Sequence, residues 1–97
     1  ISNTPAYANN NHWINVLRIE YHLYKKDREG LMFLLEKNKI QTRPVWMLNH
    51  FQKPYKKYQS YKINRSKKLI EKSLCLPSSS NLTKDEFNNV INCLRIN

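Results

Sequence analysis

The order of secondary structure elements is clearest near the end of the chain, which reads LCLPSSSNLTKDEFNNVINCL over residues 74–94. The apolar run at 74–76 predicts a short strand, and the proline after it ends the strand because proline cannot donate to a sheet. Thr83 and Glu86 have the spacing of a capping box, in which each side chain bonds the other residue's backbone amide. Four apolar residues then share one helical face: Phe87, Val90, Ile91 and Leu94. Their spacing predicts a helix over about 84–95.

The upstream residues predict the same alternation of strand and helix. Branched and aromatic residues at 13–19 predict a strand, and its two partly apolar faces suggest a position inside the sheet. Asp27 is a good N-cap for a helix over about 27–37, where leucines recur at helical spacing. Asn38 is placed to end that helix in the left-handed conformation.

A further strand and a further helix are predicted between these two regions. Residues 40–46 predict a short strand that ends at Pro44 or lies at a sheet edge. A helix over about 65–73 follows, with Leu69 and Ile70 facing inward. The order strand, helix, strand, helix, strand, helix predicts a small two-layer α/β sandwich, with three short strands covered by helices on one face.

The length and composition are those of one small folded domain. The chain has 97 residues, of which 40% are hydrophobic and 11% aromatic, whereas a disordered chain would be poor in aromatic and branched residues. The polar residues 1–11 are interpreted as a loop or incoming linker, and 12–97 as the domain. No apolar run approaches the roughly 18 residues that a membrane helix needs. The first residue is Ile1 rather than Met, so we expect a piece of a longer chain.

Few residues are of the kind that build a complete active site. The single glycine excludes a glycine-rich phosphate loop, and the common nucleotide, metalloprotease and nucleophile motifs are absent. Cys75 and Cys93 have no cysteine or histidine at metal-ligand spacing, so we expect two reduced, buried thiols.

The stretch 53–68 holds seven basic residues and three tyrosines, in a chain whose net charge is +10. Tyr55, Tyr58 and Tyr61 are three residues apart, so one helical turn could stack their rings on one face. Lysines for phosphates and rings for bases are the chemistry of a nucleic-acid surface. A solvated basic face or an interdomain surface explains the same residues.

Three residues between 43 and 50 are candidates for a binding site. Arg43 and Trp46 place a guanidinium and an indole at the end of a predicted strand, and His50 follows in an irregular loop. Arginine suits an anionic group, the indole is a flat apolar wall, and histidine exchanges hydrogen bonds with a hydroxyl. The structural alternative is a buried tryptophan, an arginine in an ion pair and a histidine that satisfies a turn.

The chain resembles a known family most strongly in the run IQTRPVWMLNHFQKPY at residues 40–55. With the Leu-Pro pair at 76–77 and the Leu-Thr pair at 82–83, this run resembles the C-terminal domain of the DegT/StrS aminotransferases. These fold-type I enzymes use pyridoxal phosphate (PLP) to aminate keto groups on nucleotide-linked sugars. The residues at 43–46 are most similar to the branch that makes 4-amino sugars such as perosamine, bacillosamine or legionaminic acid precursors. The residues at 12–15 resemble the strand that opens the small domain.

The resemblance implies that this chain is the small domain of such an enzyme. A large domain absent from the chain would hold PLP, and the 97-residue piece alone would be inactive. By resemblance, Arg43 and Trp46 line the sugar pocket and His50 ends the loop beside it. No residue of this chain is assigned to catalysis, to PLP or to a metal.

The resemblance also implies partners. These are a nucleotide-sugar substrate, an amino donor that we expect to be glutamate, and a second copy of the full-length enzyme in a homodimer. The enzyme would act in the cytoplasm, in the synthesis of cell-surface polysaccharide or lipopolysaccharide sugars, with neither nucleic acid nor a membrane as a partner. A stand-alone basic nucleic-acid-binding module is the alternative function.

Overall fold

The computed structural model describes residues 3–95, which form a small α/β domain with one antiparallel three-stranded sheet. The elements in chain order are β1 (Asn15–Arg18), α1 (Tyr21–Tyr24), α2 (Arg28–Lys37), β2 (Arg43–Pro44), α3 (Asn64–Glu71), β3 (Ser73–Leu76) and α4 (Lys84–Leu94). Two 3₁₀ turns, Asn49–Phe51 and Lys53–Tyr55, lie between β2 and α3. The predicted small two-layer α/β class is confirmed.

The sheet order is β1-β3-β2, so the last strand of the chain is the central one. Leu17 of β1 and Pro44 of β2 both lie opposite Leu74 of β3. The prediction that β1 lies inside the sheet is therefore wrong. Apolar residues on both faces of a strand indicate that both faces are covered, but they do not indicate that another strand pairs with each edge. Pro44 lies in an edge strand, as its missing N–H requires.

The hydrophobic core lies between one face of the sheet and the helices α2 and α4. Its buried members are Ile19, Leu31, Leu35, Ile40, Leu74 and Cys93. Leu17 and Leu76 pack against them from the sheet, and Val90 and Leu94 pack from α4. The layer of helices on one face is thus built by α2 and α4. Both cysteines are free, and Cys75 is only half-buried.

The third helix does not join this core, contrary to the expectation that its apolar residues face inward. Leu69 is 48% exposed and Ile70 is half-buried, and neither belongs to the core cluster. The Arg28 guanidinium donates to the Ile70 carbonyl at 3.0 Å, so α3 is fixed by its carboxyl end to the start of α2. Its apolar side chains instead border the second face of the sheet.

A lysine, and not the predicted Asn38, takes the left-handed position at the end of α2. Lys39 has φ 60°, and its N–H donates to the Glu36 carbonyl at 2.9 Å. The N–H of Ile40 donates to the Leu35 carbonyl at 2.9 Å, and both side chains lie in the core. This is a Schellman motif with lysine where glycine is usual, so α2 ends at Lys37 as predicted and the left-handed residue lies one position after the predicted Asn38.

The capping box of α4 is confirmed. The Thr83 N–H donates to Glu86 Oε2 at 2.8 Å, and the Glu86 N–H donates to Thr83 Oγ1 at 3.2 Å. The Thr83 hydroxyl also donates to the same carboxylate oxygen at 2.9 Å. These bonds favour the charged carboxylate, and the backbone bond from Thr83 is the largest cause that lowers the pKa of Glu86 below 4.5.

Replacing Lys39 by glycine should stabilise the domain. The left-handed backbone is unfavourable for a residue with a Cβ, so Lys39→Gly should raise the free energy of unfolding by about 0.5–1 kcal/mol. Lys39→Ala is the matched control, since it removes the same charge but keeps the Cβ and should give no such gain. Urea unfolding followed by circular dichroism measures both variants. An equal gain for alanine would show that charge, not backbone conformation, limits stability here.

The capping box should make the domain sensitive to acid. Because the folded-state pKa of Glu86 is lowered, its contribution to stability is complete above about pH 4.5 and is lost as the pH falls through the lower folded-state value. Glu86→Gln should therefore be less stable than the wild type near pH 6, and the difference should shrink toward pH 3. Unfolding free energies measured at several pH values check this. A difference that stays constant with pH would contradict the assigned role of the charge.

Candidate functional site

The face of the sheet opposite the core carries the first candidate residue, Arg43. Directly paired residues share a face, so Val16, Cys75 and Arg43 form one row across the three strands. The neighbouring row holds Arg18 and Ser73. The guanidinium of Arg43 is exposed, and it is joined to no carboxylate within residues 3–95.

A cavity of about 530 Å³ lies on this second face of the sheet. It is lined by Val16, Arg18, Glu20, Val45, Leu69, Ile70 and Ser73. The charges at its rim are compensated, because Glu20 accepts from Lys72 Nζ at 3.0 Å and lies 3.4 Å from Arg18 Nε. The bond from Lys72 is the largest cause that lowers the pKa of Glu20. The cavity is therefore an apolar recess with an ionised, paired rim.

Trp46 lies two residues beyond the end of β2, where its indole meets that of Trp13. The ring centroids are 6.2 Å apart and the planes cross at 67°, an edge-to-face arrangement. Trp46 is 73% exposed and Trp13 is 68% exposed, so the contact leaves most of each ring open to solvent. The two indoles form an exposed aromatic corner, defined here as Trp13 and Trp46.

The backbone around Trp13 is fixed by short polar side chains. Ser78 donates its hydroxyl to the Trp13 carbonyl at 2.6 Å, and the Trp13 N–H donates to Asn11 Oδ1 at 3.1 Å. His12 has the left-handed φ of 53° just before it, and its carbonyl accepts from the Asn15 amide at 3.4 Å. The segment is thus held in place without burying the indole.

His50 lies in the first 3₁₀ turn after β2 and is separate from the other two candidates. Its ring is half-buried and lies 4.3 Å from the ring of Phe51. The side chain of Gln52 donates to the Met47 carbonyl at 3.1 Å, which closes this turn. No hydrogen bond, ion pair or ring contact between residues 3 and 95 joins Arg43, Trp46 and His50 to one another.

The geometry separates the functional and structural explanations of these residues. A buried tryptophan and an ion-paired arginine were the structural alternative, but Trp46 and Arg43 are exposed and neither serves the core. His50 packs on Phe51 within its own turn. The sequence pattern did not identify Trp13 as a contact of Trp46. The two residues are 33 positions apart, and local spacing does not predict a contact over that distance.

The tyrosines of the basic stretch do not share one helical face. Tyr55 ends a 3₁₀ turn, its ring lies 6.5 Å from that of Tyr58, and no helix covers residues 56–63. Tyr61 lies under the ammonium group of Lys62, 5.1 Å from the ring centroid, and not on the other tyrosines. The prediction of three stacked rings is wrong because residues 56–63 do not form the helix that would place the three rings on one face.

The positive charge of the chain is confined to one part of the sequence. Residues 37–70 hold ten of the 17 basic residues and none of the seven acidic ones, so the remaining basic and acidic residues balance. All ten basic side chains are exposed, and each of the three ion pairs in the described part of the chain lies outside this segment. The candidate residues Arg43, Trp46 and His50 therefore lie in a segment without acidic residues, although Glu20 lines the cavity on the same face of the sheet together with Val45.

The residues described do not fit a PLP or metal site of their own. PLP is held through a Schiff base to a lysine that is shielded from water, and no lysine between residues 3 and 95 is buried. In the same range, no three His, Cys, Asp or Glu residues come together to hold a metal ion. No helix in that range is long and apolar enough to cross a membrane.

Comparison with protein families identifies the chain. The family model of the DegT/DnrJ/EryC1/StrS aminotransferases matches residues 2–95, nearly the whole sequence. The match includes the strand that carries Arg43, the loop that carries Trp46 and His50, and the capped helix α4. This chain therefore belongs to the DegT/DnrJ/EryC1/StrS aminotransferase family.

Proposed function

We propose that this chain is the small domain of a PLP-dependent enzyme that transfers an amino group from glutamate to the keto group of a nucleotide-linked sugar. One observation supports the substrate class above all. The chain belongs to an aminotransferase family, and its Arg43 and Trp46 side chains are exposed at the end of β2 and in the loop after it. Neither side chain packs in the core, and Arg43 forms no ion pair within the described residues. Such exposed, unpaired groups are typical of a binding surface.

Each candidate residue has a distinct proposed role. Arg43 orients an anionic or hydroxyl-rich part of the substrate, because its five N–H donors are free to form directed bonds. Trp46 forms an apolar wall of the sugar pocket. His50 braces the loop through its contact with Phe51 and keeps one edge available to a sugar hydroxyl.

The cofactor and the remaining partners are assigned to the rest of the enzyme. PLP supplies the electronic chemistry of amino transfer when bound, and a large domain outside this chain holds it. We assign the enzyme to the branch that makes 4-amino sugars for cell-surface polysaccharide or lipopolysaccharide, and we expect a cytoplasmic homodimer. On this proposal residues 1–11 are the linker from the large domain and 12–97 are the small domain.

A basic nucleic-acid-binding module is the second candidate function. The acid-free segment 37–70, with its exposed tyrosines, is the observation that favours it. Its affinity for DNA or RNA would fall steeply with salt, with a log–log slope of about −5 for six phosphate contacts. We rank it second because an aminotransferase family match covers the same residues.

The proposal predicts that the full-length protein binds PLP and that the 97-residue chain alone does not. The full-length protein should keep a visible absorbance band of bound PLP after gel filtration, and added glutamate should change that band. The 97-residue chain should keep none, because it has no shielded lysine. A stable yellow complex of the 97-residue chain would overturn the assignment of PLP to another domain.

Substitution of Arg43 should separate substrate binding from PLP binding. In the full-length enzyme, Arg43→Ala should raise KM for the sugar nucleotide or lower kcat by about ten- to a hundredfold, the range expected when a charged hydrogen bond is lost. The PLP band should be unchanged. Arg65→Ala, which removes an exposed arginine from α3, is the matched control and should behave like the wild type. Loss of PLP from Arg43→Ala would show that this residue is misplaced.

A further inference from the structure

We propose that Trp13 is a specificity-determining residue that binds the sugar ring of the substrate jointly with Trp46. The inference rests on the proposed function, since it assigns a second wall to the same sugar pocket. It goes beyond that function because Trp13 lies before β1, far in sequence from the loop that carries the other candidates. The observation that carries it is the aromatic corner itself.

The two indoles form one joint aromatic surface. The planes of the two indoles cross at 67° with centroids 6.2 Å apart, so the edge of one ring meets the face of the other. Here more than two thirds of each tryptophan is exposed, and neither belongs to the core cluster.

The corner is fixed in place by bonds that hold the backbone and leave the ring free. The Ser78 hydroxyl and the Asn11 side chain anchor the carbonyl and the N–H of Trp13. The Ser78 bond ties the segment before β1 to the segment after β3, so the backbone of Trp13 is held beside the end of the sheet. A rigid, open ring binds a ligand with little loss of conformational entropy.

The surroundings of the corner combine polar and apolar groups, as the recognition of a carbohydrate requires. The side chains that bond the Trp13 backbone are polar, namely Asn11 and Ser78, whereas the chain neighbours Ile14 and Met47 expose apolar surface. A sugar ring has an apolar C–H face and a rim of hydroxyls, which matches two aromatic faces bordered by amides and a hydroxyl. Neither indole N–H donates to a protein acceptor within the described residues, so both remain available for a sugar hydroxyl.

Binding measurements on the full-length enzyme test the inference without using the reaction. Calorimetry with a panel of UDP-, GDP- and dTDP-linked hexoses, each beside its free nucleoside diphosphate, separates the sugar contribution from that of the nucleotide. Trp13→Ala should weaken binding of the preferred sugar nucleotide by about two- to tenfold, the range of one aromatic contact, and leave the free diphosphate unchanged. Trp13→Phe should restore most of the loss.

Tyr7→Ala is the matched control for these measurements. Tyr7 is an aromatic residue of the same N-terminal stretch, 93% exposed and without a ring partner in the described chain, so its loss should not change binding. If the sugar nucleotide binds Trp13→Ala as it binds the wild type, the inference is wrong. Equal weakening of the free diphosphate would also overturn it, because Trp13 would then act on the nucleotide or on the fold.

A double-mutant comparison tests whether the two rings act together. If they form one site, Trp13→Ala with Trp46→Ala should weaken sugar binding by less than the product of the two single effects. A full product would mean that the rings bind independently and would remove the corner from the inference. The glutamate-dependent change of the PLP band is measured separately in the wild-type enzyme. Failure of that change in the wild type would refute the proposed function, whereas failure of the sugar binding test refutes only the role of Trp13.

Discussion

The central strand β3 is the constraint on which the remaining structure depends. Its ladder partners lie on both sides, and Leu74 is fully buried against the layer formed by α2 and α4. A shift of one residue in register would exchange the two faces of the strand and replace Leu74 by Cys75 in the core. Because Leu17 and Pro44 lie opposite Leu74, the same register decides which face each edge strand presents.

This register places the candidate site on the face opposite α2 and α4, which α3 borders. Arg43 shares a row with Cys75, so it points away from the core and stays free of structural ion pairs. Pro44 then ends β2 after two residues because it has no N–H for the ladder. The chain leaves the sheet at that point, and Trp46 is free to reach Trp13 near the start of β1.

The charge distribution follows the same division between scaffold and surface. Outside residues 37–70 the basic and acidic residues balance, and the three ion pairs of the described chain lie there. Two of these pairs share Glu20 and link the end of β1 to the residue before β3. The segment that carries Arg43 and Trp46 has basic residues alone, which suits a surface that meets an anionic, phosphate-bearing substrate.

The sequence alone determined the features that depend on near neighbours. Asp27 and Thr83 start α2 and α4 at the predicted residues, because a capping side chain bonds an amide only two or three positions away. The run at residues 40–55 pointed to the aminotransferase family, which the match over residues 2–95 then showed. Tertiary structure decided what depends on distant partners: the edge position of β1, the exposure of Leu69 and the pairing of Trp13 with Trp46. These features are set by which strand occupies the centre of the sheet, and local spacing carries no information about that choice.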